Sequence, residues 1–144
     1  FRPLREGWPA IHRVIGRIAI LSGVVAGVTA IAITVLFPFH GPAAVYLVAP
    51  FALLFLFAIV QAFSNARAGN YDGHREWMIR AFAIGTGVAT MRLIFVPAFL
   101  LLGEVSDERA RPLSLFSFVA AFLIHLIVAE VWIRYSRDRV AAPT

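Results

Sequence analysis

The sequence predicts an all-α integral membrane protein, in which four transmembrane helices form an up-down-up-down bundle. Two observations support this fold class. Sixty per cent of the 144 residues are hydrophobic, whereas about half are apolar in a soluble domain. These residues form four blocks, at 14–37, 44–63, 77–102 and 113–133. Each block has about 20 residues or more, which is enough to cross a hydrocarbon layer ~30 Å thick. We therefore predict a single transmembrane domain over residues 1–144.

The boundaries of the four helices follow from the residues between the apolar blocks. A short outer turn at 38–42 makes the first two helices antiparallel neighbours. Asp72 or Gly73 can cap the third helix, and Pro112 is placed to begin the fourth after a polar outer loop at 103–111. The predicted helices span approximately 11–37, 44–64, 74–102 and 112–136.

The basic residues predict the orientation of the bundle. All 13 are arginine, and most lie at the start of the chain, around the connection between the second and third helices, and at the end of the chain. The positive-inside rule therefore predicts both termini in the cytoplasm. The net charge of +5 then faces a bilayer with anionic lipids, and no nucleic-acid partner is expected. The absence of cysteine excludes disulfides, thiolate metal sites and covalent c-type haem.

Two helices carry a stripe of histidine and small residues on one face. Helical spacing predicts both stripes, because steps of 4, 7, 11 and 18 residues return to nearly the same face. Gly23 and Gly27 in the first helix form a small-xxx-small pair that lets another helix approach closely. The first stripe comprises His12, Gly16, Gly23, Gly27, Ala30 and Thr34. The third helix carries His74, Met78, Gly85, Ala89 and Arg92.

The two stripes suggest a cofactor site. His12 and His74 lie at the inner ends of parallel helices, so they would face each other if the two stripes met across the bundle. Two imidazoles beside glycine match the needs of a bis-histidine b-type haem in a membrane bundle. Gly16 would make room for the macrocycle, and the propionates would meet arginines among Arg17, Arg67 and Arg80. The competing interpretation is that both histidines are interfacial residues in a basic flank. No other metal site is expected.

Three further ionisable residues fall inside the apolar blocks. Arg92 has no carboxylate at its depth, so it must bond freed backbone carbonyls, extend toward Glu104 or Asp107, or meet a ligand. Glu130 lies at the depth of Arg17 and Arg80 and is predicted to be their ion-pair partner. His125 is expected to form a hydrogen bond between helices, although a proton-relay role together with Glu130 stays open.

Two classes of function are compatible with these residues. No hydrolase or transferase motif is present, so we expect a non-enzymatic protein, with electron transfer still open. The favoured hypothesis is a haem-binding redox component or an accessory subunit of a larger membrane complex or homo-oligomer. The alternative is a small transporter or channel-like protein that uses Arg92, His125 and Glu130 as an ionic path.

Four short motifs resemble the signature of a bacterial family of predicted membrane proteins, domain of unknown function 2306. The motifs are HRVIGR at 12–17, ARAG at 66–69, HREWMIR at 74–80 and TMRL at 90–93. The resemblance covers roughly residues 11–135 and implies a multi-pass protein of the bacterial cytoplasmic membrane with no established reaction. The residues that the resemblance singles out are His12, Gly16, Arg17, Arg67, His74, Arg80 and Arg92.

Overall fold

The computed structural model describes residues 7–37, 43–102 and 107–141, and most of these residues are helical. The helices are α1 (Pro9–Leu36), α2 (Ala43–Arg67), α3 (Tyr71–Leu102) and α4 (Asp107–Ala141). Each contains a segment long and apolar enough to cross a membrane. The predicted fold class, a helical membrane bundle, is therefore confirmed. The predicted outer turn at 38–42 and residues 103–106 of the predicted outer loop lie outside the described residues.

Consecutive helices run antiparallel, as their contacts show. Along α1, Gly23 lies against Ile59 of α2, whereas Gly27 lies against Leu56. The residue numbers rise on one helix while they fall on the other. The contacts between α2 and α3 and between α3 and α4, given below, show the same reversal. The order up-down-up-down follows.

The bundle is open on one side. Among the described residues, α3 packs against both α2 and α4, and α2 makes a smaller contact with α4. Helix α1 packs against α2 alone. Three helices therefore form the centre, and α1 is attached to the outer side of α2. The core contains Ala58, Ile59 and Ala81, with Ile20, Phe55 and Trp77 packed around them.

The less exposed face of α1 is the predicted stripe with Ile20 added and one residue replaced. Gly27 is the buried residue of this helix. Ala30, which was predicted to belong to the stripe, is exposed, and Ile31 takes its place, because a step of four from Gly27 stays closer to the contact line than a step of three. The residues less exposed than the rest of α1 are His12, Gly16, Ile20, Gly23, Gly27, Ile31 and Thr34.

A tight turn ends α2. The N–H of Asn70 donates to the carbonyl of Asn65 at 2.9 Å, and the N–H of Gly69 donates to that of Ala66 at 3.3 Å. These two bonds are the Schellman pattern, which satisfies the last carbonyls of a helix and needs a residue with positive φ. Gly69 fills that position with φ 76°.

The same turn begins α3. The side-chain oxygen of Asn70 accepts the N–H of Gly73 at 3.0 Å, which makes Asn70 the N-cap. The predicted cap at Asp72 or Gly73 is therefore wrong, and α3 begins at Tyr71 rather than at residue 74. Both residues lie in the first turn because the cap precedes them.

Helix α4 also begins earlier than predicted. Its first residue is Asp107, five residues before Pro112. A proline removes one helical hydrogen bond, and this early in the helix it does not fix the starting point.

Candidate functional site

Four charged side chains join α3 to α4 at the end of the bundle that holds the Asn70 turn. Arg80 bonds Glu130 at two points, with Nε–Oε1 2.5 Å and Nη2–Oε2 3.1 Å. Arg137 bonds both carboxylate oxygens of Glu76 through Nε and Nη2. Arg80 Nη1 also lies 4.0 Å from Glu76 Oε2, so the four residues form one ion-pair cluster.

Aromatic rings extend this cluster toward α2. The guanidinium of Arg80 lies over the ring of Trp77, 4.7 Å from its centroid. That ring meets Phe57 of α2 edge-on at 5.3 Å. A planar guanidinium can satisfy a carboxylate with its edge while its face rests on an indole. Arg80 therefore holds α3 against α4 and connects that interface to α2.

The contacts of this cluster bear on two predictions from the sequence, which concern Glu130 and Arg80. Glu130 pairs with Arg80 as predicted, but among the described contacts it has no ion pair with Arg17. Its side chain is 40 % exposed, so it is less buried than expected. Arg80 was also a candidate for the haem propionates, and it faces Glu130 instead.

His125 forms a hydrogen bond between helices. Its Nε2 lies 3.3 Å from Thr90 Oγ1 of α3, and its Nδ1 lies 2.9 Å from the carbonyl oxygen of Ala121. A neutral imidazole that donates from Nδ1 and accepts at Nε2 satisfies both contacts. The structure does not bring Arg92, His125 and Glu130 together: His125 faces α3, Glu130 is held by Arg80, and Arg92 is exposed.

A groove separates α1 from α3. These helices make no contact within the described ranges, so their two stripes, which would face each other only if they met across the bundle, do not meet directly. The reason is Phe55 of α2, whose ring lies between them. A Cβ added to Gly23 would lie 3.5 Å from Cζ of this ring, and a Cβ added to Gly85 would lie 3.6 Å from its Cε2.

The shared ring allows the levels of the two histidines to be compared. His12 precedes Gly23 by 11 residues, and His74 precedes Gly85 by 11 residues. Eleven residues are about three helical turns, or about 16 Å. Each histidine therefore lies on the face of its helix that its glycine presents to Phe55. Counted from these two glycines, both histidines lie toward the end of the bundle that holds the Asn70 turn.

The imidazole of His74 is held in place by α2. Its Nδ1 lies 2.8 Å from the carbonyl oxygen of Ala62, a buried residue. When Nδ1 donates to that carbonyl, the lone pair of Nε2 is left for another partner. Metal-ligating histidines are commonly oriented in this way. His12 is half-buried.

The space beside His12 is open. A Cβ added to Gly16, one turn further along α1, would meet nothing within 4 Å. Arg17 and Arg67 are exposed near the same end of the bundle, and Arg67 lies 5.8 Å from the centroid of the Phe63 ring. Over the residues described, no group of three or more His, Cys, Asp or Glu side chains could hold a metal ion.

Arg92 lies on the open face of α3. Gly85, Ala89 and Val96 are exposed on the same face. No hydrogen bond or ion pair joins Arg92 to the rest of the described chain. The side chains of Glu104 and Asp107, toward which it was expected to extend, lie outside the described residues. The stripe of α3 is therefore covered at His74 and Met78 and open from Gly85 onward.

The pairing of Glu76 with Arg137 was not predicted, although the sequence contains a signal for it. Glu76 and Arg80 are four residues apart on α3, and Glu130 and Arg137 are seven apart on α4. Both spacings place an acid and a base on one helical face. In antiparallel helices the two orders are complementary, so that each acid meets the base of the other helix.

The fold and these contacts define a multi-pass helical membrane protein whose α3 and α4 are joined by an ion-pair cluster at one end. Residues 1–133 match the model of a family described as Predicted membrane protein (DUF2306). The chain therefore belongs to this family, as the resemblance of its motifs indicated. Neither a curated protein nor a solved structure matches the chain.

Proposed function

We propose that this protein is a non-enzymatic redox component of the membrane, which binds one b-type haem in the groove between α1 and α3 through His12 and His74. The observation that carries the proposal is that His12 and His74 each lie 11 residues before a glycine that borders Phe55, which is Gly23 in α1 and Gly85 in α3. Two histidines that bind one haem iron would have to lie at one level, and the matched spacing of His12 and His74 supports this.

The contacts of His74 support its role as a ligand. The hydrogen bond from Nδ1 to the Ala62 carbonyl would fix the imidazole ring and keep the Nε2 lone pair available. Gly16 would leave room for the edge of the macrocycle, because nothing lies within 4 Å of its missing side chain. The bound group would supply one-electron transfer, and the chain would supply ligands, space and an apolar surrounding.

Charge near the two histidines suits the carboxylates of such a group. Arg17 and Arg67 are exposed and have no ion pair among the described residues. We assign these two arginines to the propionates. Arg80 is left out, because both of its bonding edges are directed to Glu130 and Glu76.

An accessory role in a larger membrane complex is the second candidate. The open face of α3, where Arg92 lies exposed, favours it, since a lone charge within an apolar face is costly in lipid. A transporter with an ionic path through Arg92, His125 and Glu130 has less support, because these side chains point to different surroundings.

The proposed location is the bacterial cytoplasmic membrane, with both termini in the cytoplasm and the arginine-rich ends at anionic lipid headgroups. Reporter fusions at Gly41 and Asp107 should then read as external, and a fusion at Asn70 should read as internal. The opposite pattern would overturn the orientation and place the two histidines near the outer surface.

The experiment that tests haem binding is the absorption spectrum of the purified full chain, with and without added haem. The reduced protein should show the sharp α-band of low-spin bis-histidine ligation. His12→Ala and His74→Ala should each abolish the band. His125→Ala is the matched control and should keep it, because His125 bonds Thr90 away from the groove. A folded preparation that stays colourless after haem is added would overturn the proposal.

A further inference from the structure

The open face of α3 carries one charged side chain in an otherwise apolar surface. The exposed residues Gly85, Ala89, Arg92 and Val96 follow each other at steps of four, three and four. This spacing forms a continuous line along a helix. The side of α3 that faces α4 is a different one, marked by Thr90, which reaches His125. Phe55 of α2 borders the Arg92 line at Gly85, and no described residue covers it from Ala89 to Val96.

The position of Arg92 makes exposure to lipid costly. It lies ten residues before Leu102, the last residue of α3, which is about 15 Å along the helix axis. The Cα–Cβ bonds of a helix tilt toward its N-terminus. The side chain of Arg92 therefore starts away from the nearer membrane surface. Charged residues within spans almost always have a partner or face a polar cavity.

The described part of the chain does not supply that partner. Glu130, the described carboxylate nearest in level, is bound to Arg80. Arg80 lies 12 residues below Arg92, or about 18 Å along α3. A second copy that used the same face about an axis along the helices would place Arg92 opposite Arg92. Two like charges placed opposite each other repel, so a second copy in this arrangement would not supply a partner for Arg92.

We infer that the Arg92 line of α3 is the docking surface for a transmembrane helix of another protein, which carries a carboxylate at the level of Arg92. Charge complementarity sets the chemistry of the occupant. Ala89, about one turn below Arg92, lets a second backbone approach closely. A lipid acyl chain has no need of this approach, so a helix fits the surface better than an anionic lipid does. This inference does not depend on haem binding.

The test uses the full chain in lipid vesicles with three synthetic transmembrane helices of about 22 residues. The three peptides are identical alternating leucine–alanine sequences except at one position ten residues from an end, which is Glu, Gln or Leu. Because the chain has no cysteine, Ala68→Cys accepts a single donor dye. Energy transfer to an acceptor on the peptide then reports association.

The Glu peptide should bind about tenfold more tightly than the Leu peptide, in line with polar interactions between helices in lipid. Arg92→Leu should remove this preference, and Arg92→Lys should keep most of it. Ala89→Leu should weaken binding of the Glu peptide, because the added side chain keeps the backbones apart. Ala26→Leu adds the same bulk to an exposed position of α1 and should have no effect.

Equal binding of the Glu and Leu peptides, or a preference that survives Arg92→Leu, would overturn the inference. So would self-association of the chain that depends on Arg92, since the occupant would then be a second copy. If the Glu peptide is not preferred, and the parent protein retains more phosphatidylglycerol than the Arg92→Leu variant does, the surface binds a lipid instead of a helix. Each of these failures leaves the haem spectrum unchanged, so the two proposals are tested separately.

Discussion

Arg80 of α3 and Glu130 of α4 are joined by two parallel contacts, from Nε to Oε1 and from Nη2 to Oε2. This two-point geometry fixes the rotation of both helices as well as their separation. The Arg80 side chain is 19 % exposed and that of Glu130 is 40 % exposed. The pair therefore lies between a surface salt bridge and a fully buried one.

Replacing Arg80 should weaken the bundle in a way that lysine cannot repair. Arg80→Leu removes two charge-assisted hydrogen bonds and the contact with Trp77, and should lower the free energy of unfolding by about 2 kcal/mol. Arg80→Lys keeps the charge but not the two-point geometry, and should recover less than half of that loss. Unfolding in mixed detergent micelles measures both.

A double-mutant cycle with Glu130→Gln separates the pair from the rest of the cluster. The loss caused by Arg80→Leu should be smaller when Glu130→Gln is already present, because the shared interaction is counted once. Strict additivity of the two losses would show that Arg80 acts through Trp77 and Glu76 and not through Glu130.

In the pair of Glu76 and Arg137, the effect on stability should depend on which partner is removed. Glu76 is 9 % exposed, whereas the Arg137 side chain is 62 % exposed. Arg137→Ala should destabilise the protein, because it leaves a buried carboxylate with only the longer contact to Arg80. Adding Glu76→Gln should restore part of the lost stability. Thermal unfolding of the two variants compares them, and a double variant less stable than Arg137→Ala would contradict this account.

Substitution by alanine should have opposite effects on stability at Gly73, in the Asn70 turn, and at Gly16, in α1. A Cβ on Gly73 would collide with the Asn65 and Asn70 side chains, which bond each other at 2.8 Å. Gly73→Ala should therefore cost about 1–2 kcal/mol through the lost N-cap. Gly16→Ala meets open space and should stabilise α1 by up to about 1 kcal/mol. Measurement of the free energy of unfolding of each variant tests both expectations. Equal effects would mean that helix propensity alone governs both positions.

Gly27 should control the attachment of α1. A Cβ there would lie 2.6 Å from Leu56 Cδ2 and 3.3 Å from Phe55 Cδ1. Gly27→Val should push α1 away from α2, the one described helix that holds it. Spin labels on Ala10→Cys and Ala68→Cys should then give a longer and broader distance distribution.

The neighbouring residue provides the control for this substitution. Ala26 is exposed on α1, so Ala26→Val adds a branched side chain without touching α2. The distance distribution should stay as in the parent protein. If Ala26→Val broadened it equally, helix propensity rather than packing would be responsible.

The four helices could be predicted because a membrane demands long apolar runs, and the chain has four of them. The start of α3 was placed three residues late, since Asn70 serves as the cap and the sequence offered Asp72 and Gly73 equally well. Cap choice depends on local backbone geometry, which residue types alone do not fix.

The neighbours of α1 could not be predicted from the pattern. In a membrane, both the lipid-facing and the packed faces of a helix are apolar, so hydrophobicity does not tell them apart. Glycine spacing did identify the packed face of α1, because Gly23 and Gly27 contact α2. It did not show that Phe55 of α2 would fill the space between α1 and α3.

The position of Phe55 between Gly23 and Gly85 limits which length changes the chain tolerates. One residue inserted between His74 and Gly85 would turn the imidazole by about 100° and shift it about 1.5 Å along the helix. The same holds for His12 and Gly23. These two eleven-residue intervals should therefore resist insertions and deletions, whereas the ends of α1 and α4 that lie beyond them can change in length without moving either histidine.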